Sequence, residues 1–342
     1  MAAPVLRAAD SPVDGMGVLL DRLREVDARF PGELGVYLKD LHSGTSLSFR
    51  GEQTWYFASG VKLPVAIAVL RGVEQGRLDL DQQVLLLAED YVDGAGKTKL
   101  YPPGTPLTLR FLLEQMMIYS DNTASDVLIR LVGLEAVNAI TAELAPGGFE
   151  PITSLAAVRR YVYGYYSPRA SQLSGAQLLL LKQQPNPTAR LALLGRLLQL
   201  TPEELARGDL DSAYRAYYQM QLNSGRLSAY AELLERLVAG EALDAERSSY
   251  LLRVMDRSLT GQKRIRAGLP KNARFAHKTG TQWARFCDFG VISTPESAPR
   301  QLIVAACTRD DRSQQRAELA LREVGEALQA AGTLRPPVED FP

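Results

Sequence analysis

Phe57-Ala-Ser-Gly-Val-Lys-Leu-Pro-Val-Ala-Ile-Ala-Val-Leu70 opens on a small-residue turn and runs into eight almost wholly apolar residues. Such a run reads as a helix buried on all sides, the centre of a large core. Its start carries a serine and a lysine three residues apart, Ser59 and Lys62. Residues i and i+3 share a helix face, so Ser59 Oγ and Lys62 Nζ can approach. A serine hydroxyl is a weak nucleophile until a neighbour takes its proton, and a lysine does so once burial lowers its pKa. S-x-x-K alone is weak evidence, since it arises by chance about once in a chain of this length.

Working outward, strands flank this helical centre from both ends of the chain. Residues 13–30 form an amphipathic helix with Met16, Leu19, Leu20, Leu23 and Val26 on one stripe. Leu34–Lys39 and Thr45–Phe49 read as strands joined at His42-Ser-Gly. Residues 57–255 are mainly helical. Strands return at 274–293 and 301–308, around the turn Thr294-Pro-Glu-Ser-Ala-Pro-Arg300, and a last helix covers about 311–331. A tail with Pro336, Pro337 and Pro342 follows, and residues 1–12 read as a loose tail. The expectation is an α/β (α+β) fold: one domain over 13–332, with an α/β lobe from 13–56 and 256–332 and an α lobe over 57–255.

Segment 158–222 holds Tyr161, Tyr163, Tyr165, Tyr166, Tyr214, Tyr217 and Tyr218. Thr201-Pro-Glu-Glu204 is an N-cap, a Pro at the first helical position and a capping-box glutamate. Helices are expected over 188–200 and 202–220. The tyrosines read first as core packing, and second as a lid lining a cleft. Cys287 and Cys307 lie on neighbouring strands, equidistant from the intervening turn, so a symmetric hairpin sets them opposite each other. They read as small buried fillers, with a disulfide as the alternative.

Two further motifs follow the first in order. Ser120-Asp-Asn122 offers a second hydroxyl to relay a proton and an amide to hold a substrate amide; its bland reading is a helix cap. Lys278-Thr-Gly280, followed by Thr281, lies on a strand. A lysine and a hydroxyl on an edge strand can hold a substrate carboxylate, Gly280 admits a close backbone approach, and the Thr281 N–H can join the Ser59 N–H as an oxyanion hole. S-D-N and K-T-G together arise by chance in roughly a few per thousand chains of this size.

Charge and composition exclude other classes. Lys plus Arg and Asp plus Glu both number 39, which gives no global field for nucleic acid. With two histidines and two cysteines, no metal-ligand pattern occurs, and no cofactor is expected. No apolar run is long enough to span a membrane.

The ordered triple of motifs is the signature of class A β-lactamases and penicillin-binding proteins. The chain resembles that family beyond the motifs: in Gly35-Val-Tyr-Leu-Lys-Asp-Leu-His-Ser-Gly44, in Phe57–Ala66, in Tyr101-Pro-Pro-Gly-Thr-Pro-Leu-Thr-Leu-Arg110 and in Tyr119-Ser-Asp-Asn-Thr-Ala-Ser-Asp126. The resemblance covers about 30–145 and 224–332. It implies a β-lactamase/transpeptidase-like fold, with an antiparallel sheet flanked by terminal helices and an inserted all-α lobe. It implies that Ser59 is acylated, Lys62 activates it, Ser120 passes protons, Asn122 holds the side-chain amide, and Lys278, Thr279 and Thr281 bind the carboxylate. It also implies export to the periplasm or medium, a monomer, and a small-molecule partner, a β-lactam or a peptidoglycan-like peptide.

Two departures stand out. The family's E-x-x-x-N loop, whose glutamate activates the deacylating water, has no counterpart in Ile152-Thr-Ser-Leu-Ala-Ala-Val-Arg-Arg-Tyr-Val-Tyr-Gly-Tyr-Tyr166, which has no acid. Glu203, Glu204, Asp209, Asp211 or a tyrosine of 161–166 are the positional candidates to replace it. Cys287 stands where many relatives carry a carboxylate-binding arginine, and Arg285 is the nearby substitute. The expected function is a β-lactamase-family serine hydrolase. The alternatives are a D,D-peptidase- or esterase-like hydrolase and a non-catalytic β-lactam sensor.

Overall fold

In a computed structural model, residues 12–294 and 300–334 are described. The N-terminal tail, most of the Thr294–Arg300 turn and the proline-bearing C-terminal tail lie outside them. Helix α1 (Pro12–Arg29) leads into strands β1 (Glu33–Asp40), β2 (Ser46–Phe49) and β3 (Thr54–Tyr56). Helix α2 (Lys62–Glu74) follows a 3-10 turn, Ala58–Val61. Short strands β4 (Gln83–Leu85) and β5 (Pro106–Thr108) precede α3 (Leu109–Ile118), α4 (Asn122–Val132) and α5 (Leu134–Leu144). The tyrosine-rich segment folds as α6 (Leu155–Gly164), α7 (Gly175–Gln183), α8 (Pro187–Leu198), α9 (Pro202–Leu205) and α10 (Leu210–Gln219). Strand β6 (Ser224–Arg226) and helices α11 (Leu227–Val238), α12 (Ala245–Asp256) and α13 (Ile265–Gly268) lead to β7 (Arg274–Gln282), β8 (Arg285–Ser293), β9 (Gln301–Arg309) and α14 (Gln314–Ala330).

The main sheet has the order β2-β1-β9-β8-β7, antiparallel throughout, with β7 at an edge. Alternation along β9 divides its side chains between two cores. Leu302, Val304 and Ala306 join α1 and α14 on one face, and Ile303, Ala305 and Cys307 join the helical centre on the other. Lys62 through Leu70 are all buried, so α2 is the central helix that its apolar run predicts. The fold is the expected α/β architecture, an antiparallel sheet flanked by terminal helices with a helical region inserted.

Two local expectations change. The helix expected over 202–220 is broken: Gly208 adopts φ +156°, and the Asp209 carboxylate accepts from Ser212 N to start a new helix. An aspartate in this position stabilises a helix start more than a helix interior. Cys287 and Cys307 sit directly opposite in the β8–β9 register and are disulfide-bonded, so they are more than buried fillers. The bond closes a loop with sequence separation 20. Loop-closure entropy then implies that Cys287→Ala with Cys307→Ala lowers unfolding free energy by about 3 kcal/mol. Denaturant unfolding with and without reductant checks this; identical midpoints would contradict it.

Most of the tyrosines pack as core: Tyr163, Tyr166, Tyr214 and Tyr217 are buried. Tyr214 also reaches a cleft wall, stacked on Trp283 with ring centroids 5.3 Å apart. Among the described residues no helix is long and apolar enough to cross a membrane.

Candidate active site

A cleft of about 710 Å³ opens between the edge strand β7 and the helical region, lined by Ser59, Ser120, Asn122, Thr279 and Thr281 among others. Three separate stretches meet here. Ser59 lies on the 3-10 turn ahead of α2, and Ser120 and Asn122 lie on the α3–α4 junction. Asp121 does cap α4, accepting from Ala124 N at 2.9 Å, so the S-D-N motif has both its bland and its chemical features. Capping leaves Ser120 at φ +57°, in the left-handed region.

Lys62 is fully buried, and its three donors go to Ser120 O (2.6 Å), Ser120 Oγ (3.2 Å) and Asn122 Oδ1 (2.7 Å). Lys278, also fully buried, donates to the same Ser120 Oγ at 2.9 Å and to Thr279 O at 3.1 Å. One hydroxyl therefore accepts from two amines and keeps its own O–H free to donate elsewhere. Burial brings the Lys62 pKa down to about 7, against the opposing pull of Asp121 and Asp126, and Arg159 lowers it further. Burial likewise pushes Lys278 well below its ordinary value, helped by the charges of Lys62 and Arg264. A buried amine near neutrality is the property a lysine needs to accept a proton from serine.

Asn122 is held at both atoms of its amide: Nδ2 donates one hydrogen bond to Asp93 O at 2.7 Å and Oδ1 accepts from Lys62. Thr279 Oγ1 lies 2.7 Å from Thr260 Oγ1. Gly280 has a different neighbour from the expected ligand: a Cβ there would lie 2.1 Å from Phe57 O. Its bareness lets β7 approach the turn that carries Ser59. Gly280→Ala is expected to push the strand away, lowering stability by about 1–3 kcal/mol. Slower reaction at Ser59 should accompany it, on the order of tenfold. Thermal unfolding and acylation rates check both; a fully active, equally stable variant would contradict this placement.

Arg285 is not brought to the cleft. Its guanidinium donates to Ala284 O and Asp310 Oδ1 (2.9 Å) and lies over the Tyr218 ring. Arg264, which sequence reasoning missed, stands at the cleft instead. It donates to Gly280 O (2.9 Å), Cys287 O (2.8 Å) and Thr281 Oγ1 (2.6 Å) and is 3% exposed. No motif marks it; it sits at the start of α13, outside all three motifs.

None of the positional candidates for water activation lines the cleft. Glu204 pairs with Arg169, Asp209 caps α10, and Asp211 accepts from Trp283 Nε1 at 2.7 Å. The start of α6 is pinned where the family's glutamate would be sought: Asp126 accepts from Leu155 N (2.7 Å) and Ala156 N (2.8 Å). The carboxylates at the cleft are Asp93 and Glu318. Asp93 is held by Arg159 at 2.5 Å, and Glu318 lies 3.7 Å from Arg264.

Comparison with known proteins shows the family and the fold. Residues 19–331 match the model of the Beta-lactamase enzyme family. A beta-lactamase of Mycobacterium tuberculosis is 25% identical over 294 residues, 86% of this chain and 78% of that relative. A beta-lactamase structure from Sphaerobacter thermophilus superposes with TM-score 0.68 at 24% identity, covering 94% of this chain and 99% of the other. The protein named PBP-A superposes with TM-score 0.67 at 22% identity, covering 93% and 97%. With a family match over most of its length and the fold shared, this chain belongs to the beta-lactamase enzyme family.

Proposed function

We propose that the protein is a serine hydrolase that opens a β-lactam amide by acyl transfer to Ser59. The observation that carries this is Ser120 Oγ, which accepts hydrogen bonds from both Lys62 and Lys278. Neutral Lys62 takes the Ser59 proton as Oγ bonds to the lactam carbonyl carbon. The carbonyl oxygen becomes an oxyanion, held by the Ser59 and Thr281 backbone N–H groups. When the C–N bond breaks, Ser120 donates its proton to the leaving nitrogen and is reprotonated from the lysine pair. Lys278, Thr279 and Thr281 bind the substrate carboxylate, with Arg264 bracing Thr281. The substrate's side-chain carbonyl replaces Asp93 O as acceptor from Asn122 Nδ2.

A second reading, a D,D-peptidase- or esterase-like enzyme acting on a peptidoglycan-like peptide, is favoured by one observation. The cleft carboxylate of Asp93, whose backbone oxygen accepts from Asn122, is tied to Arg159, and α6 offers no acid in its place. The acyl-enzyme is then long-lived toward β-lactams. The domain spans 13–332 as a two-lobed monomer working in the periplasm or outside the cell, as expected of exported relatives. Nitrocefin turnover with Ser59→Ala as control tests acyl transfer, and absence of any reaction at Ser59 would overturn it. The lifetime of the penicillin adduct by mass spectrometry separates rapid turnover from a persistent acyl-enzyme.

A further inference from the structure

The cleft wall is markedly cationic. Arg159, Lys182, Arg190, Arg264 and Arg312 all line it, against the carboxylates Asp93 and Glu318. These charges divide between two ends. Arg264 braces β7 and lies near Glu318, and Arg312 lies 3.8 Å from Asp211. At the other end Arg159 takes Asp93, whose backbone oxygen accepts from Asn122. Lys182 and Arg190 remain. They come from α7 and α8, within the segment that replaces the family's glutamate-bearing loop. Arg190 spends Nε on Leu181 O at 3.1 Å, and neither side chain has a carboxylate partner among the described residues.

This juxtaposition has an electrostatic cost. Burial lowers the Lys182 pKa first, and the charges of Arg190, Arg159 and Lys99 lower it further, against the pull of Asp93, which is already paired. Isolated surface lysines do not converge in this way, and a wall of one sign concentrates ligands of the other. We propose that Lys182 and Arg190 form a second anion subsite, selecting substrates that carry a carboxylate on the acyl side chain. The inference rests on Ser59 acylation and adds the substrate class: a dianionic amide, with one carboxylate toward Lys278 and Arg264 and the other toward α7 and α8.

The experiment compares carbenicillin, which has a side-chain carboxylate, with benzylpenicillin, which has the same phenyl group without it. The readout is the ratio of their second-order acylation constants. The ratio is expected to fall about five- to tenfold in Lys182→Gln or Lys182→Gln/Arg190→Gln and to recover in Lys182→Arg. It should also fall with added salt in the native protein. A ratio that changes less than twofold in the double variant overturns the subsite. If neither penicillin acylates Ser59, the parent reading fails, and the subsite is judged by NMR titration with phenylmalonate and phenylacetate. Preference for phenylmalonate that is lost in Lys182→Gln supports it, and equal or absent binding overturns it.

Discussion

Lys62→Met is expected to slow acylation of Ser59 on the order of 10³-fold, within the range of a lost general base. Methionine fills nearly the same volume along the buried stem but cannot take a proton. It also leaves Ser120 O and Asn122 Oδ1 without the ammonium they accept from, at a cost of about 1–3 kcal/mol for buried acceptors. Circular dichroism and thermal unfolding therefore accompany the kinetics. The pH profile gives the specific signature. The neutral amine is the reactive form, and burial brings Lys62 down to about 7. In the native protein the acylation constant rises with pH along a limb that is half-maximal near pH 7. In Lys62→Met that limb disappears. A folded variant that retains it would assign the titration to another group.

Ser120→Ala is expected to slow acylation on the order of 10²- to 10³-fold, because among the described residues no other hydroxyl is held between the two amines. The effect differs from the first in kind. Lys62 keeps its bonds to the residue-120 carbonyl and Asn122 Oδ1, so the limb near pH 7 stays in place while its height drops. Lys278 is left with Thr279 O alone, and binding of a substrate carboxylate should weaken as well. Stopped-flow acylation over a range of concentrations separates the two terms. A plateau within threefold of the native value would remove Ser120 from the proton path.

Much of this site was legible in the sequence because its chemistry depends on a few residue types at short spacings. Ser59 and Lys62 flank one turn, and Ser120 and Asn122 flank one cap. The Cys287–Cys307 register followed from the symmetry of a hairpin. The long-range pairings were not legible. Arg159 and Asp93 are 66 residues apart, and nothing local to either predicts the other. Arg264 enters the cleft because the turn ahead of α13 brings its guanidinium to Gly280 O and Cys287 O. By sequence Arg285 is the natural substitute, two residues from Cys287. It pairs with Gln282 at the end of the β7–β8 ladder, where its guanidinium turns to Asp310 and the Tyr218 ring. The break at Gly208 was missed because Asp209 could be read equally as a helix interior or as a cap. The missing glutamate was visible from the start as an acid-free stretch, Ile152–Tyr166. Nothing in that stretch announces that Asp126 pins the backbone there or that the cleft carboxylate of Asp93 is tied to Arg159.

The most direct test is intact-mass analysis followed by peptide mapping after brief exposure to benzylpenicillin. The predicted result is a single acyl group on the peptide containing Ser59, absent from Ser59→Ala and formed faster at pH 8 than at pH 6. No adduct on the native protein, or one that persists in Ser59→Ala, would contradict the account.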